Sequence, residues 1–201
     1  MVFEVHPVTP DRFEDFADVV NPNRRATHCW CVPHRLRSGE VDELGGGDRE
    51  RAMRALCRRE LPPGVVGYAD GIPVAWCNIG PRSDIPVLVH SRKIRPVDDV
   101  AVWSIVCTVV RGGYRRRGHT SRVVEGAVGY AAAHAAPAVE AYPVDPPGRM
   151  DTTMAFVGTR AMFEKVGFEV IGRTEATASQ LPRLVMRRGL SRRPDHASGV
   201  R

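Results

Sequence analysis

Lysine is nearly missing from this 201-residue chain: of 29 basic residues, only Lys93 and Lys165 are not arginine. The net charge of +6 points by itself toward a nucleic-acid partner. Aromatic residues, at 6%, are too few for a base-stacking surface, and the arginines are scattered along the chain. Alongside abundant Ala, Gly, Val and Pro, the arginine excess reads as a coding bias, and no nucleic-acid partner is expected. Long apolar runs are missing too. The longest, about eight residues near Trp103–Val110, falls far short of the roughly 20 that span a bilayer. No basic segment followed by an apolar stretch opens the chain. No membrane partner and a cytoplasmic location are expected. There is no C-x-x-C pair. The five cysteines, at 29, 31, 57, 77 and 107, read as small buried hydrophobes in a reducing compartment.

What is present is an alternation of strand-like and helix-like segments. Phe3–Val8 reads as an opening strand, and Thr9-Pro10-Asp11 as a helix start with Phe13, Phe16, Ala17 and Val20 on one face. Residues 22–47 read as irregular, and Asp48–Leu61 as a helix. Gly64–Ala69 and Ile72–Ile79, joined by Asp70-Gly71, form a hairpin pattern, since a type I′ turn needs positive φ at both central positions. Residues 82–99 read as a loop or short helix. Val100–Val110 is the most apolar strand, which argues for a central place in a sheet. A helix over Thr120–Ala136, a strand over Pro137–Val144, a helix over Val157–Val166 closed by Gly167, and strands at Phe168–Gly172 and Leu184–Arg188 follow. The order predicts one domain over 1–190, a mixed α/β sheet covered by helices, with a mobile polar tail over 191–201.

The segment between the central strand and the next helix, Arg111-Gly112-Gly113-Tyr114-Arg115-Arg116-Arg117-Gly118-His119-Thr120-Ser121, carries the chemistry. Free N–H groups at a helix start, together with the helix dipole, bind anions. Gly118 lets the backbone approach a ligand, Thr120 and Ser121 cap the helix, and the three arginines supply charge-assisted donors. This is a cradle for a pyrophosphate. Gly113-x-x-x-x-Gly118-His119-Thr120 is one substitution from a Walker A loop, but His stands where the phosphate-binding Lys belongs.

Tyr114-Arg115-Arg116-Arg117-Gly118-His119-Thr120 resembles motif A of the GNAT superfamily of acyl-CoA N-acyltransferases, with Arg115, Gly118 and Thr120 on its marked positions. Thr120 stands where Gly or Ala is usual. Thr159–Phe168 looks like the closing segment of that family, ending in Glu164-Lys165-Val166-Gly167-Phe168. The resemblance spans about Gly64 to Leu190 and implies a mostly antiparallel sheet with splayed central strands and flanking helices. It implies acetyl-CoA as acyl donor, an amine as acceptor, no metal and, as for many such domains, pairing as a homodimer. Thr108, Val109 and Val110 would meet the pantetheine arm through their main chain, and Arg115–Ser121 would take the pyrophosphate. A main-chain N–H of the central strand would stabilise the oxyanion. The sequence departs from the pattern where the family often places a tyrosine as thiolate acid and an asparagine: these positions hold Phe163 and Phe156. Tyr142 is the substitute candidate for the acid, against the alternative that it packs on the sheet. An acyl-CoA-binding domain without catalysis is the rival reading.

His28-Cys29-Trp30-Cys31-x-x-His34 gathers potential metal ligands, but its spacing matches no zinc pattern. Trp30 and Cys31 are candidates for a wall of the acceptor pocket. Glu140, Asp145, Asp98 and Asp99 are carboxylates that would either take a proton or remain solvated.

Overall fold

The computed structural model describes residues 1–26, 29–45, 47–148 and 155–190. The polar tail expected over 191–201 and His28 lie outside the described residues. Seven strands form one sheet in the order β1-β2-β3-β4-β5-β7-β6. They are β1 (Phe3–Pro7), β2 (Gly64–Ala69), β3 (Ile72–Pro81), β4 (Trp103–Val110), β5 (Ala138–Ala141), β6 (Glu169–Ala178) and β7 (Leu181–Gly189). Among the described residues six α-helices accompany them: α1 (Phe13–Val20), α2 (Ser38–Glu43), α3 (Asp48–Leu56), α4 (Pro86–Val89), α5 (His119–Ala133) and α6 (Arg160–Glu164). Every strand pair is antiparallel except β4 with β5. None of the described helices is long and apolar enough to cross a membrane.

The hairpin expected at Asp70-Gly71 forms, with φ of 47° and 79°. A second tight turn, Ser179-Gln180, carries φ of 49° and 64°, conformations that neither residue type advertises. It lengthens β6 and β7 well beyond the two short strands read from the sequence. The stretch over 22–47, expected to be irregular, contains α2 and a 3-10 turn at Val32–His34.

One face of the sheet packs on α5 through Val123, Val124, Ala127, Val128 and Ala131, as the helical period dictates. Gly126 lets α5 descend onto β1: a Cβ there would lie 2.4 Å from Val5. The opposite face carries two apolar clusters. The first joins Phe13, Phe16 and Trp30 to Trp76 and Cys107. The second gathers Ile85, Leu88, Ile94, Val106, Tyr142 and Val185.

Arg35 fastens the 29–36 segment to this second face. It is fully buried and donates to Asn78 Oδ1 (2.9 Å) and to the carbonyls of Pro63 and Ile79 (2.7 Å each). Its ion pair with Asp84 is 3.5 Å long.

Candidate functional site

The geometry begins with a register shift. Across β3 and β4, Asn78 faces Cys107 but Ile79 faces Ile105, so Val106 is an extra residue, a β-bulge. Consequently Ile105 points to the α5 face while Val106 and Cys107 both point to the other face. Pairing with β5 ends at the same level, at Ile105↔Ala141. Beyond it β4 continues through Thr108, Val109 and Val110 beside β3. The chain after β5 instead pairs Val144 with Thr159 and Arg183. The two central strands therefore part, as expected of splayed strands. Across the gap, Thr108 Oγ1 donates to the Phe156 carbonyl at 3.5 Å.

β4 delivers the chain into the loop that opens α5. Gly118, the N-cap of α5, has φ of 78°, and a Cβ there would meet nothing within 4 Å, so the space before the helix start is open. Arg116 and Gly113 also have positive φ, at 62° and 84°. Arg115, Arg116 and Arg117 are exposed, and among the described residues none has a carboxylate partner. Arg115 Nε donates to the Val110 carbonyl (3.2 Å), and Arg117 lies over the Tyr114 ring at 5.6 Å. Three unneutralised guanidiniums around free helix N–H groups fit a polyphosphate. Thr120 and Ser121 lie half-buried in the first turn of the helix.

His119 differs from its expected role. Its ring turns inward, 2% exposed, and stacks on Phe3 at 5.5 Å, so only its backbone belongs to the cradle. Among the described residues its Nδ1 has no hydrogen-bond partner. Burial, with Arg122 and Arg117 nearby, holds its pKa below the usual value.

Tyr142 occupies the second apolar cluster, 1% exposed. Its hydroxyl donates to Glu140 (2.8 Å) and meets Ser104 Oγ at 3.1 Å, while Arg82 Nη1 donates to it at 2.5 Å. Glu140 is 2% exposed and also accepts from Arg187 at 2.7 Å. Burial and the Glu140 carboxylate raise the phenol above its ordinary range. With one donated and two accepted bonds the hydroxyl is fully used. Sequence reasoning missed Arg82, Ser104 and Arg187, because only the fold brings the first two to Tyr142 and the third to Glu140.

Trp30 and Cys31 were read as an acceptor wall, yet both are buried. Trp30 stacks on Phe13 at 6.0 Å, and its indole N–H donates to the Arg25 carbonyl. Cys31 touches Cys107 and Cys29; the contact with Cys107, then burial, hold it protonated, while Cys29 acts the other way. Both residues carry positive φ, at 43° and 55°.

The side chain from this segment that does reach the gap is His34, whose ring lies 6.1 Å from Phe156. Burial, then Arg183 and Arg35, push His34 down to about 4. A cleft of about 390 Å³ is lined by Pro33, Leu36 and Arg37 of the same segment together with Pro86, Val87 and His90; His34 is not part of its lining. Asp98 is bound to Arg187, and Asp145 to Arg160. No group of three His, Cys, Asp or Glu among the described residues is arranged to hold a metal ion.

No protein-family model matches the sequence, and no curated protein matches it. Solved structures do match. AAC(6')-Ib in complex with paromomycin and acetyl-CoA covers 100% of this chain and 100% of its own, with a TM-score of 0.56 at 14% identity. A GNAT-family acetyltransferase from Streptococcus agalactiae 2603 covers 94% of this chain and 96% of its own, with a TM-score of 0.54 at 11% identity. The NatC complex bound to Gag peptide and CoA covers 95% of this chain, with 100% of its own chain matched, at a TM-score of 0.53 and 10% identity. At these identities the likeness is one of fold.

Proposed function

We propose that this chain, which has the fold of the GNAT acetyltransferases, transfers the acetyl group of acetyl-CoA directly to an amine. The observation that carries the reading is the coincidence of the Val106 bulge with the parting of β4 and β5, directly upstream of the arginine cradle. The bulge leaves main-chain groups of Thr108, Val109 and Val110 without a strand partner on the β5 side, ready for a pantetheine amide. Arg115, Arg116, Arg117, the Gly118 turn and the first N–H groups of α5 would hold the pyrophosphate. The amine nitrogen would attack the thioester carbonyl in the gap. A main-chain N–H past the bulge would receive the oxyanion, and positioning would supply much of the rate.

The protonation of the departing thiolate is assigned to solvent. Tyr142 was the sequence candidate for that step, but its proton is already given to Glu140. A second reading, acyl-CoA binding without catalysis, is favoured by Phe163, which is buried against Phe168 at 5.1 Å and has no proton to give.

Isothermal titration of acetyl-CoA into wild type and Gly118→Glu tests the cradle. Micromolar binding, lost in the variant, supports the reading, and no binding by wild type overturns it. Thiol release with a panel of amines then separates transfer from binding alone.

A further inference from the structure

Arg183 is a charged side chain that the acyl-transfer reading leaves unused. Its backbone bridges Val144, and its side chain turns back so that Nε donates to the Tyr142 carbonyl at 2.7 Å. Among the described residues, Nη1 and Nη2 have no hydrogen bond and no carboxylate. Burial holds the guanidinium down to about 10, while Tyr142, over whose ring it lies at 6.0 Å, acts the other way.

The contrast with the other buried arginines is sharp. Arg35 meets Asn78, Asp84 and two carbonyls, and Arg187 holds both Glu140 and Asp98. Desolvating a cation without a counter-ion is costly, so a half-buried guanidinium with a free edge marks a place where an anion belongs.

Position narrows the anion. Arg183 lies on the Tyr142 side of the gap and acts electrostatically on His34. His34 in turn packs on Phe156, whose carbonyl meets Thr108. Arg183 and His34 thus cover the gap from the face opposite α5. The cradle of Arg115, Arg116 and Arg117 stands at the start of α5 itself, so the phosphates of CoA have their own site. The charges that act on His34, those of Arg183 and Arg35, are both positive.

We propose that the free edge of Arg183 binds a carboxylate on the acceptor, so that the acceptor is an amine bearing a nearby carboxylate, as in an α-amino acid. The planar guanidinium fork matches a carboxylate with two parallel N–H···O bonds. This assignment rests on the acyl-transfer reading of the same gap.

The test is calorimetric titration of N-acetylglycine and N-acetylglycinamide, products without a side chain to clash, with and without CoA. Wild type is expected to bind the carboxylate at least tenfold more tightly than the amide. Arg183→Gln is expected to bind both equally, and Arg183→Lys, which keeps the charge but not the fork, to fall between. Equal affinities in wild type, a preference that survives in Arg183→Gln, or binding of neither compound overturns the proposal. Acetyl-CoA titrated into the same variants separates the anion sources, because a tenfold loss there would assign Arg183 to CoA. Turnover of glycine against glycinamide gives the kinetic arm, with at least a tenfold higher kcat/KM for glycine in wild type. If wild type binds acetyl-CoA but acetylates no amine of the panel, acyl transfer fails as a reading, while the titration still decides the carboxylate site.

Discussion

Arg82 and Tyr142, sixty residues apart in sequence, meet guanidinium to hydroxyl at 2.5 Å below the point where the two central strands separate. Arg82 also donates to the Ile94 carbonyl at 2.7 Å, so the pair ties the segment after β3 to the floor of the gap. Tyr142→Phe removes a hydroxyl that satisfies three neighbours. The expected loss is about 1–3 kcal/mol of stability, the cost of leaving buried polar groups unpaired. The acetylation rate is expected to stay within a few-fold of wild type, since the phenol proton is not available to the thiolate. Urea denaturation and thiol-release kinetics on one preparation check both halves. A rate loss above a hundredfold would restore Tyr142 as the acid.

On the proposed reading, the arginine cradle makes donor binding sensitive to salt. Replacing Arg115, Arg116 and Arg117 together by alanine should raise the Kd for acetyl-CoA about tenfold or more at 50 mM salt, and by much less at 0.5 M, where exposed charges are screened. Calorimetry at the two ionic strengths reads the difference. Equal losses at both would point to packing instead of charge.

His34 predicts an acid limb in stability. Its native pKa of about 4 lies below the ordinary 6.5, so the unfolded chain takes up a proton first as pH falls. The native state is penalised progressively from about pH 6.5 down to about 4, by up to about 3 kcal/mol, and nothing further is lost below that. Above pH 6.5 the residue contributes no pH dependence. Denaturant midpoints for wild type and His34→Gln across this range should converge toward acid, the variant being flatter. Parallel curves would remove the effect.

Gly126→Ala brings a methyl to within 2.4 Å of Val5, on a buried helix face. Overpacking of this kind costs about 1–3 kcal/mol. The cost should show as a lowered thermal midpoint with an unchanged far-ultraviolet spectrum, whereas Gly129, which has open space, should accept alanine freely.

The sequence exposed the elements whose signals are local. The Asp70-Gly71 turn, the apolar run of β4, the stripe of α5 and the glycine before it each declare themselves within a few residues. The glycine-containing basic loop that opens α5 was legible for the same reason. Ser179-Gln180 carries no glycine or asparagine, so the long β6–β7 ribbon was cut short. Trp30 and Cys31 looked like a ligand wall because aromatic and sulfur side chains serve cores and pockets equally, and only the packing of Phe13 and Cys107 decides between them. Arg82, Arg183 and His34 acquire meaning from partners far away in sequence, which no spacing rule could supply.

The single extra residue at Val106 has a consequence for how β4 can vary. Substitutions along it alter one contact each. Removing or adding one residue would hand Trp103 and Ile105 to the wrong side of the sheet and close or misplace the parting of the strands in the same step. Variants of β4 drawn from a random library should therefore be rich in changes of residue type and nearly empty of changes in length.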